Sequence, residues 1–251
     1  MSKVYFVGAG PGDPELMTVK SRDILSRAGL VIYAGSLVNP EVLKFAKPGA
    51  SLHDSAKMEL SSIVELMREH VDMGLTVARV HTGDPSLYGA IAEQMAELDK
   101  AGIDYEVVPG VSSAFAAAAA LKCELTLPEV NQTVIFTRLE GRTGVPKEES
   151  LASLAKHRAT MVIFLSVSSI EKVVHELMEG YPPDTPAAVV YKASWPEQRI
   201  IRGKLFDIAA KAKAGGVEKT ALIFVGKALD KEYMKAYSKL YDKDFSHGFR
   251  E

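Results

Sequence analysis

Three times within the first 115 residues, an apolar run enters a glycine turn and leaves it into a segment able to start a helix. The stretches are VYFVGAGPGDPELM from Val4, ARVHTGDPSLYG from Ala78 and VVPGVSSAF from Val107. Strands joined through helices must reconnect in parallel, and a parallel sheet needs both faces covered. The pattern therefore predicts an α/β fold with a mostly parallel first sheet. It also puts the glycine turns at the carboxyl ends of strands, where open sheets of this kind bind ligands. The rest of this half agrees. Leu30–Tyr33 is a strand, and Asn39, Pro40 and Glu41 form a helix start. SLHDSA is a weaker strand. SSIVELMREHVDMG carries Ile63, Val64, Leu66, Met67 and Val71 at helical spacing. A helix is predicted from about Pro14, and another over SLYGAIAEQMAELDKAG, closed by Gly102. The alanine run 116–120 suits a helix packed close to a sheet.

LTLPEVNQ, Leu125–Gln132, breaks the rhythm and reads as a boundary centred on Pro128. Beyond it come TVIFTR, TMVIFLSV, AAVVYKAS, QRIIRGKL and ALIFVGKAL. AAVVYKASWPEQRIIRG reads as two strands with a short connection, so the second sheet is expected to be mixed. The expected organisation is an N-terminal α/β domain over 1–124, a C-terminal α/β domain over 125–232 and a helical tail over 233–251. The tail would place Tyr233, Tyr237, Leu240 and Tyr241 on one face.

Charge excludes some partners. Thirty Lys+Arg against 32 Asp+Glu leave a net charge of -2, with no general pull towards nucleic acid or an acidic membrane. No apolar run is long enough to span a bilayer, and MSKVYFVGAG lacks the features of a signal peptide. One cysteine, Cys123, argues against a disulfide framework or a thiolate metal site, and for a reducing, cytoplasmic setting. It is expected to be a buried, inert thiol.

The first glycine turn fails as a dinucleotide site. The G-x-G-x-x-G fingerprint has Asp13 at its third glycine, Pro11 removes an N–H from the turn, and the second strand ends in Ala34–Gly35 without a ribose-binding acid. No phosphate-binding G-x-x-x-x-G-K-[ST] loop occurs either. Asp13–Pro14–Glu15 and Asp84–Pro85 both read as helix N-caps, and a ligand role stays open beside that one. Two carboxylates near the crevice favour a cationic or neutral nucleoside over a phosphate.

VGAGPGDPELMTVKS, RVHTGDPSLYGA and VPGVSSAFAAAA, followed by TLPEVNQTVIFTRLEGRTGVP, MVIFLS, AVVYKASWPEQ and ALIFVGKAL, resemble the tetrapyrrole methylases segment by segment and in order. AGSLVNPE, VHTGDPSLYGAI, EGRTGVP and YKASWPEQ most resemble the precorrin-4 C11-methyltransferases, including those acting on cobalt-precorrin-4. The resemblance implies two α/β domains with a ligand cleft between them, S-adenosylmethionine as methyl donor, a tetrapyrrole substrate, a role in cobalamin biosynthesis and a homodimer. Uroporphyrinogen-methylating relatives carry an aspartate after the second strand, where this chain has Ala34–Gly35. By position, Pro11 lies beside the donor; Thr82, Gly83 and Asp84 wrap it, and Leu87 packs on it. Ser112 and Ser113 offer donors at a helix start. Leu165 covers the adenine, and Ala193, Thr220 and Ala221 supply backbone contacts.

A macrocycle edged with carboxylates needs basic residues at the rim. Lys57, His81, Arg138, Arg142, Lys192, Arg199 and Arg202 are the candidates, with Trp195 as a surface for the ring; solvated surface charge and ordinary loop packing remain the plainer alternatives. A sulfonium is already a strong electrophile, so orientation carries most of the catalysis, and no catalytic triad, carboxylate pair or metal ligand set is expected. Two other classes stay open: a diphthine-synthase-like protein methylase and a non-enzymatic nucleoside-binding module.

Overall fold

The structure, a computed structural model, describes residues 2–35 and 37–233. It divides into two compact units. Residues up to Ala116 group with Ser194–Pro196, and Ala117–Ala193 groups with the chain from Glu197 on.

The first unit holds five strands: β1 (Val4–Gly8), β2 (Leu30–Tyr33), β3 (Ser51–Asp54), β4 (Val77–His81) and β5 (Tyr105–Val108). They form one sheet in the order β3-β2-β4-β1-β5, and every pairing is parallel. Central β4 is buried at all five positions, whereas edge strand β3 alternates, as expected of strands covered on two faces and on one. Helix α1 (Val19–Leu25) packs through Ile24 and Leu25 on the face presenting Val7, Val31 and Val80. Helices α2 (Leu60–Asp72) and α3 (Ala92–Ala101) pack through Ile63, Met67 and Leu98 on the face presenting Phe6, Leu30 and Ile32. Gly102 closes α3 in the left-handed conformation, with φ +66°.

Two helices start later than the sequence suggested. Asp13 does cap, accepting from the Glu15 N–H, but the turn it starts is a short 3-10 helix, Pro14–Leu16. Thr18 then caps α1 afresh. Likewise Pro85–Tyr88 is a turn, and α3 begins only at Ala92. Tyr88 and Ala90 have φ of +57° and +50°, which a right-handed helix cannot contain.

Helix α4 (Ser113–Leu121) carries the alanine run, with Ala114 and Ala117 fully buried. The second unit contains β6 (Val134–Arg138), α5 (Leu151–Ala155), β7 (Thr160–Phe164), α6 (Ile170–Leu177), β8 (Pro186–Tyr191), β9 (Arg199–Lys204), α7 (Leu205–Ala214) and β10 (Ala221–Val225). Strand order is β6-β7-β10-β8-β9. Only β6–β7 is parallel; the other three pairings are antiparallel. The sheet is thus mixed, and β8–β9 is the expected pair with a short connection. Helices α5, α6 and α7 bury Leu151, Val173, Leu177 and Ile208 against Met161, Ile163, Val189 and Ile223. Cys123 is half-buried rather than buried, and burial raises its thiol pKa. Of the expected tail helix only Tyr233 falls within the described residues; Tyr237, Leu240 and Tyr241 lie outside them.

Two ion pairs, both made by Glu106, tie β5 to its neighbours. Glu106 accepts from Lys3 Nζ at 2.7 Å and from Lys20 Nζ. These bonds, Lys20's first, hold its carboxyl down at about 2. A depressed carboxyl stabilises the fold above its unfolded pKa of about 4.3, and that contribution is lost as pH falls towards 2. The cluster is solvent-screened, so Glu106→Gln is expected to cost about 0.2–1 kcal/mol at neutral pH and low salt. The loss should shrink below pH 4 in chemical denaturation; a loss of equal size at pH 3 and pH 7 would refute it.

Candidate active site

The turns after β1, β4 and β5 converge on backbone atoms alone. A Cβ on Gly8 would stand 2.5 Å from both the Gly110 Cα and the Gly83 oxygen, and one on Gly110 only 2.1 Å from that oxygen. Three chains meet here because none has a side chain at the crossing. The knot is hydrogen-bonded throughout. Ala9 donates its N–H to the His81 carbonyl (2.7 Å), and Gly83 donates to the Gly10 carbonyl (2.8 Å). Asp84 uses both carboxylate oxygens: Oδ1 accepts from the Ser86 N–H and Oδ2 from the Gly110 N–H, each at 2.8 Å. Asp84 is therefore not a helix cap. It closes its own turn and clamps the third loop, 26 residues on.

This bonding bears on the ligand. The N–H groups of Ala9, Gly83 and Gly110 are engaged within the knot, that of Asp13 donates to Ser194 Oγ at 3.0 Å, and Pro11 has none. A diphosphate would find these donors taken, which supports the exclusion of a dinucleotide drawn from the fingerprint. Ser112 and Ser113 start α4 beside the knot: a Cβ on Gly83 would lie 3.6 Å from the Ser112 Cα and 3.7 Å from the Ser113 nitrogen. Thr82 and Leu87 belong to the β4 turn, where the Leu87 N–H bonds the Asp84 carbonyl. The first unit thus brings together Pro11, Thr82, Gly83, Asp84, Leu87, Ser112 and Ser113.

Several candidate substrate contacts are placed otherwise than the sequence suggested. Trp195 joins the first unit, donating its indole N–H to the Pro11 carbonyl at 3.0 Å and lying against Gly12, where a Cβ would come within 2.0 Å of its ring. It props the first glycine turn. His81 is buried, at 5% exposure, with Nε2 unpartnered among the described residues. Burial, and then the charge of Arg79, pushes its pKa down to about 3, so its ring stays neutral and offers no charge to a carboxylate. Arg79 is itself buried, bonding Gln94 Oε1 at 3.0 Å and the Ile32 carbonyl, and burial lowers its pKa to about 10. Lys57 is exposed in the turn after β3. Asp54, which sequence reasoning did not single out, ends β3 and accepts from the Gly35 N–H at 2.9 Å.

In the second unit one sheet edge gathers the remaining candidates. Register pairs Arg138 with Phe164, Ala221 with Tyr191, and Tyr191 with Arg199. Leu165, Lys192, Ala193 and Thr220 therefore all fall at this edge, where the Lys192 N–H bonds the Thr220 carbonyl at 2.9 Å. Leu165, Lys192 and Thr220 have φ of +55°, +45° and +53°. Left-handed residues other than glycine are uncommon and cluster where function holds them. Leu165 is also 68% exposed, so its conformation is not the by-product of core packing.

The arginines divide. Arg138 spends its guanidinium on the carbonyls of Leu139, Thr143 and Gly144, which shapes the loop that follows β6. Arg199 donates to the Gly215 carbonyl and lies over Tyr191, and Arg202 donates to the Leu121 carbonyl. Lys192 pairs with Glu197 at 3.6 Å. Arg142, carried on the loop that Arg138 shapes, is exposed and makes no hydrogen bond or ion pair among the described residues. Among the described residues no three His, Cys, Asp or Glu side chains converge as metal ligands, and no helix is long and apolar enough to cross a membrane.

Comparison with known proteins gives a consistent picture. The family model of the Tetrapyrrole (Corrin/Porphyrin) Methylases matches residues 3–209. A cobalt-precorrin-4 C(11)-methyltransferase of Methanocaldococcus jannaschii is 58% identical, over 99% of this chain and 96% of its own length. A precorrin-4 C(11)-methyltransferase of Pseudomonas aeruginosa is 49% identical, over 98% of each chain. Among solved structures, the cobalt precorrin-4 methyltransferase CbiF superposes with a TM-score of 0.89 at 49% identity, covering 91% of this chain and 96% of that one. A uroporphyrin-III C-methyltransferase from Thermus thermophilus, complexed with S-adenosylhomocysteine, superposes with a TM-score of 0.75 at 31% identity, covering 92% and 96%.

Proposed function

Since the chain belongs to the tetrapyrrole methylases, we propose that it transfers a methyl group from S-adenosylmethionine to C-11 of precorrin-4 or cobalt-precorrin-4 in cobalamin biosynthesis. The observation that carries this reading is the 58% identity to a cobalt-precorrin-4 C(11)-methyltransferase, maintained over 99% of the chain. A protein-methylating or purely regulatory role has no comparable support. The test is an assay of the purified chain with precorrin-4 and with its cobalt form, the new methyl located by NMR. Label found only in a protein acceptor, or at another ring carbon, would overturn the reading.

The methyl donor is a co-substrate consumed at each turnover, and it supplies an activated methyl on a sulfonium. The glycine knot fits such a ligand because the N–H groups of Ala9, Asp13, Gly83 and Gly110 are already engaged and two carboxylates stand nearby. In the first unit, Pro11, Thr82, Gly83, Asp84 and Leu87 hold the donor, and the start of α4 at Ser112 and Ser113 receives its amino-acid carboxylate. In the second unit, Leu165, Ala193, Thr220 and Ala221 contact the nucleoside. Catalysis then rests on excluding water and holding carbon, methyl and sulfur in line, an effect worth roughly 7–11 kcal/mol in favourable cases.

Arg142 is the arginine left available for a carboxylate of the ring, and Lys57 and Lys192 are the remaining rim cations. Arg142→Ala is expected to raise KM for the tetrapyrrole about tenfold, the loss of one charge-assisted pair. The Kd for S-adenosylhomocysteine, read by calorimetry, should not change. Unaltered steady-state kinetics would remove Arg142 from the site. The working unit is proposed to be a cytoplasmic homodimer; sedimentation at the mass of one 27.2 kDa chain would refute the dimer.

A further inference from the structure

Methyl transfer from a sulfonium leaves the acceptor carrying a positive charge, and the enzyme needs a base to discharge it. We propose that Asp54 is that base, a catalytic residue at the carboxyl end of the first sheet; the inference rests on the methyltransferase reading above.

Strands β2 and β3 run in parallel with Tyr33 opposite Asp54, so the residues just after β2 lie beside the Asp54 side chain. Asp54 Oδ1 accepts two backbone N–H groups, from Gly35 and from Ala56, each at 2.9 Å. Oδ2 has no hydrogen bond or ion pair among the described residues, and the residue is exposed. A Cβ on residue 35 would stand 2.1 Å from Oδ2, 2.4 Å from Cγ and 2.5 Å from Oδ1. The carboxyl group lies where a side chain on residue 35 would begin, and only glycine leaves it that room.

Capping alone accounts for part of this. Asp54 starts the 3-10 turn Ser55–Lys57 by accepting from Ala56, which needs one oxygen and one N–H. It does not need the end of the adjoining strand stripped to glycine, nor a second oxygen kept without a partner among the described residues. Two N–H groups on Oδ1 fix the carboxylate in one orientation, and preorganisation of this kind is what a positioned base requires. Place in the fold agrees. Strand β2 alone separates β3 from β4, whose end carries the Thr82–Gly83 turn of the knot, roughly 10 Å away at two strand spacings. Lys57, three residues beyond Asp54, is exposed, makes no hydrogen bond or ion pair among the described residues, and offers a cation to a peripheral carboxylate of the same substrate.

The step balances without any further reactant. The electron pair of the ring carbon forms the new carbon–carbon bond, and the carbon–sulfur pair stays on sulfur. The positive charge passes to the macrocycle. In the metal-free substrate, whose ring nitrogens carry protons, Asp54 Oδ2 accepts the proton of a conjugated ring N–H, whose bonding pair returns to the π system, and the resulting carboxylic acid releases the proton to water.

Asp54→Asn separates the two roles, because its amide oxygen still accepts from Gly35 and Ala56. Expected are a kcat lowered roughly 10²-fold or more, and an unchanged Tm, KM for precorrin-4 and Kd for S-adenosylhomocysteine. Asp54→Ala should recover part of its kcat on addition of formate, and Gly35→Ala, which leaves every titratable group in place but drives a methyl into the carboxyl, should also lower kcat. Wild-type kcat in Asp54→Asn overturns the assignment, as does a loss of stability and cofactor affinity in step with activity, the mark of a packing role. A wild-type chain that methylates neither form of precorrin-4 overturns the reading of function as well, so the two failures are told apart.

Discussion

Gly110→Ala is expected to abolish binding of S-adenosylhomocysteine and to lower the Tm of the protein by about 2–12 °C. The added methyl would stand 2.1 Å from the Gly83 carbonyl oxygen and 2.8 Å from the Gly8 Cα. Both are backbone atoms, so no side chain can swing aside, and at least one of the three turns must move. Overpacking of this kind costs about 1–3 kcal/mol, and each kcal/mol is worth roughly 2–4 °C in a chain of this size. Movement also breaks the bond from the Gly110 N–H to Asp84, so the turns should separate rather than shift together. Calorimetry with S-adenosylhomocysteine and a thermal melt decide the matter. Wild-type affinity in the variant would mean that the knot does not shape the donor site.

Asp84→Asn is expected to weaken binding of S-adenosylmethionine and S-adenosylhomocysteine by the same factor, about 5- to 150-fold. Both Asp84 oxygens accept from backbone N–H groups, and an amide has only one oxygen. Whichever way it turns, the –NH2 group meets an N–H, and a donor is left without an acceptor at a cost of about 1–3 kcal/mol; tenfold in affinity corresponds to about 1.4 kcal/mol. The comparison of ligands separates two roles. S-adenosylhomocysteine lacks the sulfonium charge, so a carboxylate acting on that charge would spare it. Equal losses identify Asp84 as the clamp between two turns. Loss confined to S-adenosylmethionine would refute that and favour a direct electrostatic role.

Legibility followed the range of the forces concerned. The parallel first sheet and the mixed second one were readable because hydrophobic periodicity is a local signal; the edge position of β3 was not, since its one apolar residue, Leu52, lies exposed. The three turns were readable because glycine at a strand end has few other uses. The helix after the second turn was misplaced because Asp84–Pro85 has the local form of a cap, yet its carboxylate is drawn to Gly110 and Ser86. For His81 and Trp195 the sequence left packing as the plainer alternative to a substrate contact, and in the structure the first is buried and the second bonds the Pro11 carbonyl. Arg138 and Arg142 could not be separated in sequence; only the carbonyls of Thr143 and Gly144, folded back on Arg138, tell them apart. Gly35 marks the place of an absent acid in the sequence, and only the fold brings the Asp54 carboxyl of the next strand to it.

Residue order alone was enough for the fold class and for the family, since each rests on patterns of neighbouring residues. Which side chains are left free for chemistry was settled only in three dimensions. What a side chain can offer a ligand depends on which of its atoms other groups already engage, and the groups that engage Asp84, Arg138 and Trp195 lie from 1 to 184 positions away along the chain. Asp54 makes the same point from the other side: among the described residues its second oxygen has no hydrogen bond, and the strand beside it ends in a residue with no side chain to crowd it.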